Sequence, residues 1–241
     1  MQADKKKALI EDDFLVAEQH LSNQLKAVPE PTVYPRTTGK DGQLIATPKN
    51  DWTEGFYPGC LWYIYEHNRE ESWKQSAVKW TEALEPMKKL TSHHDIGFLI
   101  YCSFGNGYRL TGKEEYKDVI IEAANSLTTR FSEVTGCIKS WNYRKAWNGK
   151  DEWFYPVIID NMMNLELLYF ASKVTGDTRY AKIATTHAET TAKNQLREDY
   201  SNYHVVDYDT LTGKVLHQAT CQGFSDNSAW ARGQAWAIYG Y

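Results

Sequence analysis

Apolar and polar positions alternate along the chain in a repeated pattern around one short motif. The sequence T-G-x-x-x-Y occurs at 111–116 and 175–180, and residues 68–73 are a looser copy. A glycine-containing, aromatic stretch precedes each copy, at 54–67, 96–110 and 161–174. After the two closer copies, apolar residues recur at i, i+3 and i+4, as on one face of a helix. The pattern predicts successive helical hairpins, in which Gly112 and Gly176 end the first helix.

The two kinds of helix predict two layers. A helix that is apolar on nearly all sides must be buried all round, whereas a helix with one apolar stripe exposes its back to solvent. The stripes are Tyr116, Val119, Ile120, Ala123, Ala124 and Leu127, and then Tyr180, Ile183, Ala184, His187, Ala188 and Thr191. Alternating inner and outer helices are typical of an α/α toroid, whose inner helices begin around one mouth.

Residues 1–241 are therefore expected to form a single toroidal domain. We count four inner helices and three or four outer ones, and the last inner helix is still under way at Tyr241. No cap or following outer helix is visible there. We expect a ring that is incomplete at its C-terminus, with further hairpins missing.

The remaining segments are expected to be one helix, two loops and a small β-hairpin. Residues 5–27 predict an amphipathic helix with one apolar face formed by Ala8, Leu9, Phe14, Leu15, Leu21 and Leu25. Prolines and glycines predict an extended loop over about 28–48. An insertion at 131–156 is rich in aromatic residues, namely Trp141, Tyr143, Trp147, Trp153 and Tyr155. Residues 199–223 alternate and turn at 210–213, which predicts a small β-hairpin.

Composition and charge exclude several classes of function. Aromatic side chains make up 14% of the 241 residues, which suits either a large helical core or a sugar-binding cleft. The net charge is −4 and no Lys/Arg-rich run occurs, so nucleic acid and anionic membranes are not expected partners. The longest apolar stretch, 96–102, is about a third of a membrane span. The chain shows no signal peptide, and a cytoplasmic or periplasmic location is expected.

No metal or cofactor is expected from the motifs. The four cysteines lack CxxC spacing and are interpreted as packed free thiols. His93 and His94 do not form HExxH, and the glycines of 105–107 lack the third glycine of a dinucleotide fingerprint.

Two aspartates stand where inner helices are predicted to begin. Asp95 and Asp160 could each be an N-cap that accepts a backbone N–H. Alternatively, helices that start at the same mouth would bring both carboxyl groups to one cleft. A neighbouring carboxylate and apolar walls favour the protonated form, so such a pair can hold one protonated and one ionised group. Sugar chemistry commonly needs that combination.

The segment 222–236 contains a second candidate group of side chains. Ser225 or Asp226 could cap a new inner helix. Arg232 and Trp236 are four residues apart and share a helix face. They could bind a carboxylated sugar, with the guanidinium on the carboxylate and the indole on the ring, or they could form a structural cation–π pair.

Spacing alone does not decide whether two further segments have a structural or a functional role. His204 could be a surface strand residue. Asp51 and Trp52 could be a helix cap and a core ring.

Five ordered motifs between about residue 50 and residue 241 resemble those of the unsaturated glucuronyl hydrolases, glycoside hydrolase family 88. They are DWTEGFYPGCLW at 51–62, HDIGF at 94–98, IIDNMMNL at 158–165, YHVVDY at 203–208 and SAWARGQAW at 228–236. The resemblance implies a six-hairpin (α/α)6 toroid and no cofactor. It also implies an enzyme that removes the Δ4,5-unsaturated uronic acid left at the non-reducing end by polysaccharide lyases.

The same resemblance implies roles for seven residues. Asp160 would protonate C4 of the vinyl ether and then act as base toward water adding at C5, with Asp95 assisting. His204, Gln222 and Arg232 would bind the unsaturated sugar or position water. Trp52 and Trp236 would stack on the sugar.

Three other functions remain alternatives. The chain could be an unsaturated rhamnogalacturonyl hydrolase acting on pectin fragments, an inverting glycosidase on an α/α barrel, or a non-catalytic sugar-binding scaffold. The aglycone sugar, its sulfation and the oligomeric state are left open by the sequence.

Overall fold

A computed structural model describes residues 2–146, 149 and 152–241, with the side chains from residue 5 onward. Trp147, one of the aromatic residues noted in the insertion at 131–156, lies outside the described residues. By contacts the chain divides into two compact units. The first contains residues up to Met87 together with Phe98–Val119, and the second contains Lys88–Gly97 together with Ile120–Tyr241. That residues 1–241 form a single domain stays a prediction.

Helices form most of the chain. They are α1 Gln2–Ala27, α2 Phe56–Asn68, α3 Glu71–Glu82, a 3-10 helix Glu85–Lys89, a π-helix Gly97–Gly105, α4 Asn106–Thr111, α5 Glu114–Thr128, a 3-10 helix Ile159–Asn164, α6 Leu165–Thr175, α7 Thr178–Gln195 and α8 Ala231–Gly240. Within the described ranges, none of these helices combines the length and the apolar character needed to cross a bilayer.

Short antiparallel strands lie between the helices. They are β1 Tyr34–Thr38, β2 Leu44–Thr47, β3 Phe131–Ser132, β4 Cys137–Ile138, β5 Arg144–Lys145, β6 Glu152–Trp153, β7 Pro156–Ile158, β8 Val205–Tyr208 and β9 Val215–Ala219. The pairs β1–β2, β3–β4 and β5–β6 are separate hairpins, and β7, β8 and β9 form one sheet in that order.

The predicted hairpin junctions are confirmed. Gly112 and Gly176 have φ of 67° and 75°, and each donates its backbone N–H to the carbonyl four residues earlier, at 2.8 and 2.9 Å. In the looser copy Arg69 takes the same left-handed conformation, with φ of 59°. Glycine reaches this region without the steric penalty that a Cβ imposes, which is why the motif contains it.

The predicted stripes of α5 and α7 are confirmed as largely buried faces. Tyr116, Val119 and Leu127 of α5 are at most 5% exposed, and so are Tyr180 and His187 of α7. The motif aromatics are anchored at their polar ends: Tyr116 Oη donates to Glu82 at 3.1 Å. Tyr180 Oη donates to Asn125 at 2.7 Å.

Two predictions about the remaining segments are partly wrong, and a third is confirmed. The segment 28–48 is not simply an extended loop, because β1 and β2 pair within it. On α1, Leu21 is buried, but Leu9 and Leu15 are more than 60% exposed, so the predicted apolar face is only partly covered. The predicted hairpin at 199–223 is confirmed as β8–β9, and β7 adds a third strand.

The inner helices also depart from regular α-helix. The segment 96–110 begins as a π-helix, and the segment 161–174 begins as a 3-10 helix. All four cysteines are free thiols, as expected, but only Cys137 and Cys221 are buried, and the interpretation as a packed thiol is wrong for the exposed Cys60.

Candidate active site

Asp160 lies in the first turn of the 3-10 helix that follows β7. The residue at the N-cap of this helix is Ile158, so the N-cap interpretation of Asp160 is wrong. Pairing of β7 with β8 brings the segment around His204 alongside, and the N–H of Ile159 donates to the His204 carbonyl at 3.0 Å. As a result His204 Nε2 lies 3.6 Å from Asp160 Oδ2.

The surroundings of Asp160 favour its protonated form. The residue is 7% exposed, and burial raises the pKa of its carboxyl to about 7, with the negative charge of Asp95 acting in the same direction. The Arg232 guanidinium, the Trp236 indole and the backbone N–H of Asp160 act in the opposite direction and limit the rise. Asp160 can therefore hold a proton near neutral pH.

Asp95 lies two residues before Gly97, where the π-helix begins, and has the opposite character. Its Oδ2 is 2.9 Å from His93 Nδ1, and its Oδ1 is 3.3 Å from His94 Nε2. Burial opposes ionisation of Asp95, but His94, His93 and Arg130 outweigh it and hold the pKa below its usual value. The pair predicted from the sequence thus consists of one ionised and one proton-holding carboxyl group.

A close approach between backbone segments brings the two aspartates together. The Asn164 side chain, one turn after Asp160, contacts His94 Nδ1 at 3.3 Å through its Nδ2. It packs directly on Gly97, where an added Cβ would lie 2.1 Å from Asn164 Oδ1. Gly97 is therefore required for this close approach of the Asn164 side chain to the segment that carries Asp95.

His204 is buried and oriented by backbone donors. It is 2% exposed, so the surface-strand alternative is wrong. The N–H groups of Cys221 and Gln222 donate to its Nδ1 at 3.0 and 3.3 Å, which leaves the ring proton on Nε2, the atom that faces Asp160. Burial, reinforced by Arg232, lowers the pKa of His204 to about 3, so the ring is neutral.

Arg232 and Gln222 form a hydrogen-bonded pair beside this group. Arg232 Nη2 donates to Gln222 Oε1 at 3.0 Å, and both residues are exposed. Sequence spacing paired Arg232 with Trp236, but the guanidinium packs 4.5 Å from the centre of the Trp230 ring. Trp230 also contacts the His204 ring, at 4.4 Å between ring centres.

Two details of the predicted segment 222–236 are corrected by the structure. Helix α8 begins after Trp230 without a side-chain cap, so neither Ser225 nor Asp226 caps it. Asp226 instead accepts the backbone N–H of Thr220 at 2.8 Å, which fixes the loop that precedes Gln222. Trp230 was missed as a site residue because its two partners are not evident from helical spacing.

Six of the seven predicted site residues belong to the second unit, and Trp52 belongs to the first. There Trp52 makes edge contacts with Phe56 and Phe98, at 6.0 and 5.8 Å between ring centres, and Arg36 lies over its ring. Asp51 accepts the backbone N–H of Thr53 at 3.2 Å. The N-cap of α2 is Gly55, so the helix-cap alternative for Asp51 is wrong, and Asp51 instead caps a turn. Trp52 has the ring-packing contacts of the structural alternative.

The grouped residues are suited to proton transfer next to a charged ligand. The buried Asp160 carboxyl, which holds a proton, faces the neutral His204 imidazole. The ionised Asp95 carboxylate raises the proton affinity of Asp160. Among the described residues, neither Asp160 Oδ2 nor His204 Nε2 has a hydrogen-bond partner. Such a combination supports acid–base chemistry rather than a purely structural role.

Comparison with known proteins identifies relatives. The model of Glycosyl Hydrolase Family 88 matches residues 28–241. An unsaturated glucuronyl hydrolase of Formosa agariphila is 49% identical over 210 residues, covering 86% of this chain and 51% of the relative. An unsaturated chondroitin disaccharide hydrolase of Streptococcus agalactiae is 40% identical over 198 residues, covering 79% of this chain and 47% of the relative.

A solved structure gives the same result for the fold. The crystal structure of an unsaturated glucuronyl hydrolase specific for heparin matches with a TM-score of 0.89 and 43% identity, covering 95% of this chain and 60% of that one. The predicted class, an all-α fold of the (α/α)6 toroid type with small β-hairpins, is confirmed by this match. The chain spans about half the length of the curated relatives it matches.

Proposed function

The chain belongs to glycoside hydrolase family 88, and on that basis we propose that its protein releases a Δ4,5-unsaturated uronic acid from the non-reducing end of lyase-generated oligosaccharides. The observation that carries the proposal is the division of charge between two carboxyl groups, with Asp160 holding a proton near pH 7 and Asp95 ionised. A vinyl ether needs such a proton donor, because hydration begins with protonation of carbon.

In the proposed reaction Asp160 gives its proton to C4 of the C4=C5 double bond. Positive charge then develops at C5 and the ring oxygen, and water adds at C5 while the Asp160 carboxylate takes up a proton from it. The product is a hemiketal at C5, which opens and releases the neighbouring sugar. Asp160 ends protonated, as it began. Asp95 assists by holding substrate hydroxyls and by raising the proton affinity of Asp160.

Four residues would hold the substrate in this reaction, along with Trp52. Arg232 is the exposed cation beside the carboxyl pair, and its guanidinium fits the uronate carboxylate. Gln222, which accepts a hydrogen bond from Arg232, would bind the sugar or water. The neutral His204 would donate from Nε2, and Trp236 would stack on the ring, as would Trp52.

The substrate class follows from the relatives. They include enzymes named for chondroitin disaccharides and for heparin, so we propose glycosaminoglycan-derived disaccharides as the substrates. As part of the same proposal, the protein acts in the cytoplasm or the periplasm, where lyase products would accumulate. An unsaturated rhamnogalacturonyl hydrolase would instead prefer pectin fragments.

The direct test supplies unsaturated disaccharides from chondroitin, hyaluronan, heparin and gellan to the full-length protein. Hydration removes the conjugated double bond, so ultraviolet absorbance should fall with at least one substrate. A rhamnogalacturonan product and saturated disaccharides complete the panel. Turnover of saturated sugars would support an inverting glycosidase, and no turnover of any unsaturated disaccharide would reject the proposal.

Asp160→Asn tests the proposed proton donor. An amide cannot deliver the proton, so turnover should fall by about a thousandfold or more, in line with the upper range for general acid–base catalysis. Substrate affinity, measured by calorimetry, should be retained. Asp118→Asn, at an exposed position of α5, is the matched control and should behave like the parent protein. Retained turnover in Asp160→Asn would remove this residue from the acid role.

A further inference from the structure

His93 precedes the motif that carries Asp95 and has no role in the function proposed above. Its backbone is fixed against the segment at 140–141: His93 forms an isolated bridge with Trp141, and the His94 N–H donates to the Ser140 carbonyl at 3.1 Å. The ring can therefore occupy a defined position relative to Asp95.

Arg130 links the segment before His93 to residues that flank Ser140 and Trp141. Its guanidinium donates to the Thr91 carbonyl and to Asn142 Oδ1, and its Nε donates to the Lys139 carbonyl at 2.7 Å. Arg130 is 8% exposed, so these bonds lie in a largely buried environment. The loop that carries His93 is thus fixed by hydrogen bonds from the buried Arg130 and by the backbone bridge to Trp141.

The His93 imidazole contacts two parts of Asp95 through one atom. Its Nδ1 is 2.9 Å from the carboxylate Oδ2, to which it donates when Nδ1 carries the ring proton. The same atom is 3.2 Å from the backbone N of Asp95, whose N–H it can accept only in the other tautomer, so the shorter contact to the carboxylate assigns the proton to Nδ1. The side chains are 20% and 16% exposed, so the contact is shielded from most solvent. A hydrogen bond to a carboxylate in such a place is stronger than one between neutral groups.

Among the described residues, the following groups act on the ionisation of the two carboxyl groups. Asp95 is faced by His93 and His94 from its own segment and by Arg130 from the segment after α5. Asp160 is faced by Asp95, by His204 at the start of β8, and by Arg232 and Trp236 of α8. Removing His93 would therefore leave the Asp95 carboxylate with His94 and Arg130.

We propose that His93 is a positioning residue, whose Nδ1 fixes the Asp95 carboxylate as an anion directed toward the Asp160 side of the site. The inference rests on the proposed function, in which Asp160 delivers a proton. It goes beyond that function because the Asp95 carboxylate, which supports Asp160, is itself held by His93, a residue that is not among those proposed to bind the substrate. His93 does not touch the substrate in this arrangement.

The variants His93→Ala and His93→Asn separate positioning from general damage. Alanine removes the contact, whereas the Asn amide nitrogen can occupy nearly the place of Nδ1. We expect kcat for an unsaturated disaccharide to fall about tenfold in His93→Ala, in line with the loss of one hydrogen bond to a charged group. His93→Asn should recover most of that loss. His20→Ala, at an exposed histidine of α1, is the control.

The pH profile is the decisive readout. Without His93 the ionised form of Asp95 is less stabilised, so its pKa rises. The acid limb of kcat/KM should therefore move to higher pH, by about one unit for a tenfold loss of stabilisation. A purely structural defect would lower the rate by the same factor at every pH. An unchanged acid limb in His93→Ala would overturn the proposal.

A spectroscopic measurement keeps the inference separate from the proposed reaction. The pKa of Asp95 can be read from its carboxyl ¹³C resonance in the full-length protein without substrate. The pKa of Asp95 should be higher in His93→Ala than in the parent and in His20→Ala. In His93→Asn it should return nearly to the parent value. If the parent protein hydrates no unsaturated disaccharide, the proposed function fails, but this titration still decides the role of His93. Equal Asp95 titrations in all variants would refute it.

Discussion

The carboxyl groups of Asp95 and Asp160 are chemically alike and differ in their neighbours. Asp95 lies against two imidazoles, whereas Asp160 lies in a buried position beside a neutral His204. Ionisation follows these contacts, because burial favours the neutral form and cationic or N–H partners favour the anion. Spacing alone predicted that such a pair can hold one protonated and one ionised group without showing which aspartate is which, and the family resemblance assigned the proton to Asp160.

Trp230 provides a test at the scale of one residue. Its ring packs between the His204 ring and the Arg232 guanidinium. In Trp230→Leu both groups lose a packing surface, so we expect affinity for an unsaturated disaccharide to fall about tenfold, within the range of one desolvated cation–π contact plus one ring contact. Calorimetry in the Asp160→Asn background measures this loss without turnover.

The matched variant is Trp230→Phe. Phenylalanine keeps an aromatic face, so it should lose clearly less affinity than leucine does. Equal affinities for the leucine variant and the parent would show that Trp230 does not hold either binding group in place.

At the scale of the elements, the T-G-x-x-x-Y motif explains two features of each hairpin. Its second residue takes a left-handed conformation that ends the inner helix. Its aromatic residue then opens the outer helix and donates a hydrogen bond, from Trp73 to Glu18, Tyr116 to Glu82 and Tyr180 to Asn125. The glycine follows from local sterics and was predictable. The acceptors were not, because they lie 34 to 55 residues earlier in the chain.

The energetic cost of a Cβ at these left-handed positions can be measured. Gly112→Ala places a Cβ at φ of 67°, where no other atom lies within 4 Å, so only the backbone penalty acts. We expect the free energy of unfolding to fall by about 1 kcal/mol. Gly176→Ala should behave alike. Urea unfolding of the full-length protein is the measurement, and an unchanged midpoint would contradict the argument.

The looser copy gives the reverse experiment. Arg69 already carries a Cβ in the left-handed region, so Arg69→Gly should relieve strain and raise stability by up to about 1 kcal/mol. Arg69→Ala keeps the strained Cβ and is the control. If both variants changed stability equally, the effect would come from the lost side chain rather than from the backbone.

At the scale of the whole molecule, buried titratable groups link stability to pH. His187 of α7 is completely buried and accepts the N–H of Ile138 at 3.0 Å. Burial lowers the pKa of both His187 and His204 to about 3. Below pH 6.5 the unfolded chain binds protons at these rings and the folded chain does not. Stability is therefore present above that pH and is lost as the pH falls toward about 3.

At about pH 5, proton binding at His187 in the unfolded chain should by itself lower the free energy of unfolding by up to about 2 kcal/mol relative to neutral pH. His187→Asn cannot be protonated, and its amide oxygen can still accept from Ile138. The variant should therefore lose less stability than the parent between about pH 7 and pH 5. Denaturant unfolding at several pH values measures the difference. Parallel curves for parent and variant would exclude His187 as a source of the acid dependence.

The sequence by itself determined the features that depend on near neighbours in the chain. These include the helical hairpins, the glycines that end their inner helices, the buried stripes of α5 and α7, and the ordered family motifs. The reason is physical: helix periodicity and the left-handed cap are set by residues three to five positions apart. The same locality explains why the β8–β9 hairpin was predictable from its alternation and turn.

Tertiary structure decided the features that depend on distant residues. The ionisation of Asp160, the placement of Trp230 between His204 and Arg232, and the contact between His93 and Asp95 all require knowledge of what packs around each side chain. Asp160 also entered a 3-10 turn rather than a cap, because β7 leads directly into it through the bond from Ile159 to His204. Burial and contact with groups far along the chain set charge and orientation, and local pattern contains neither.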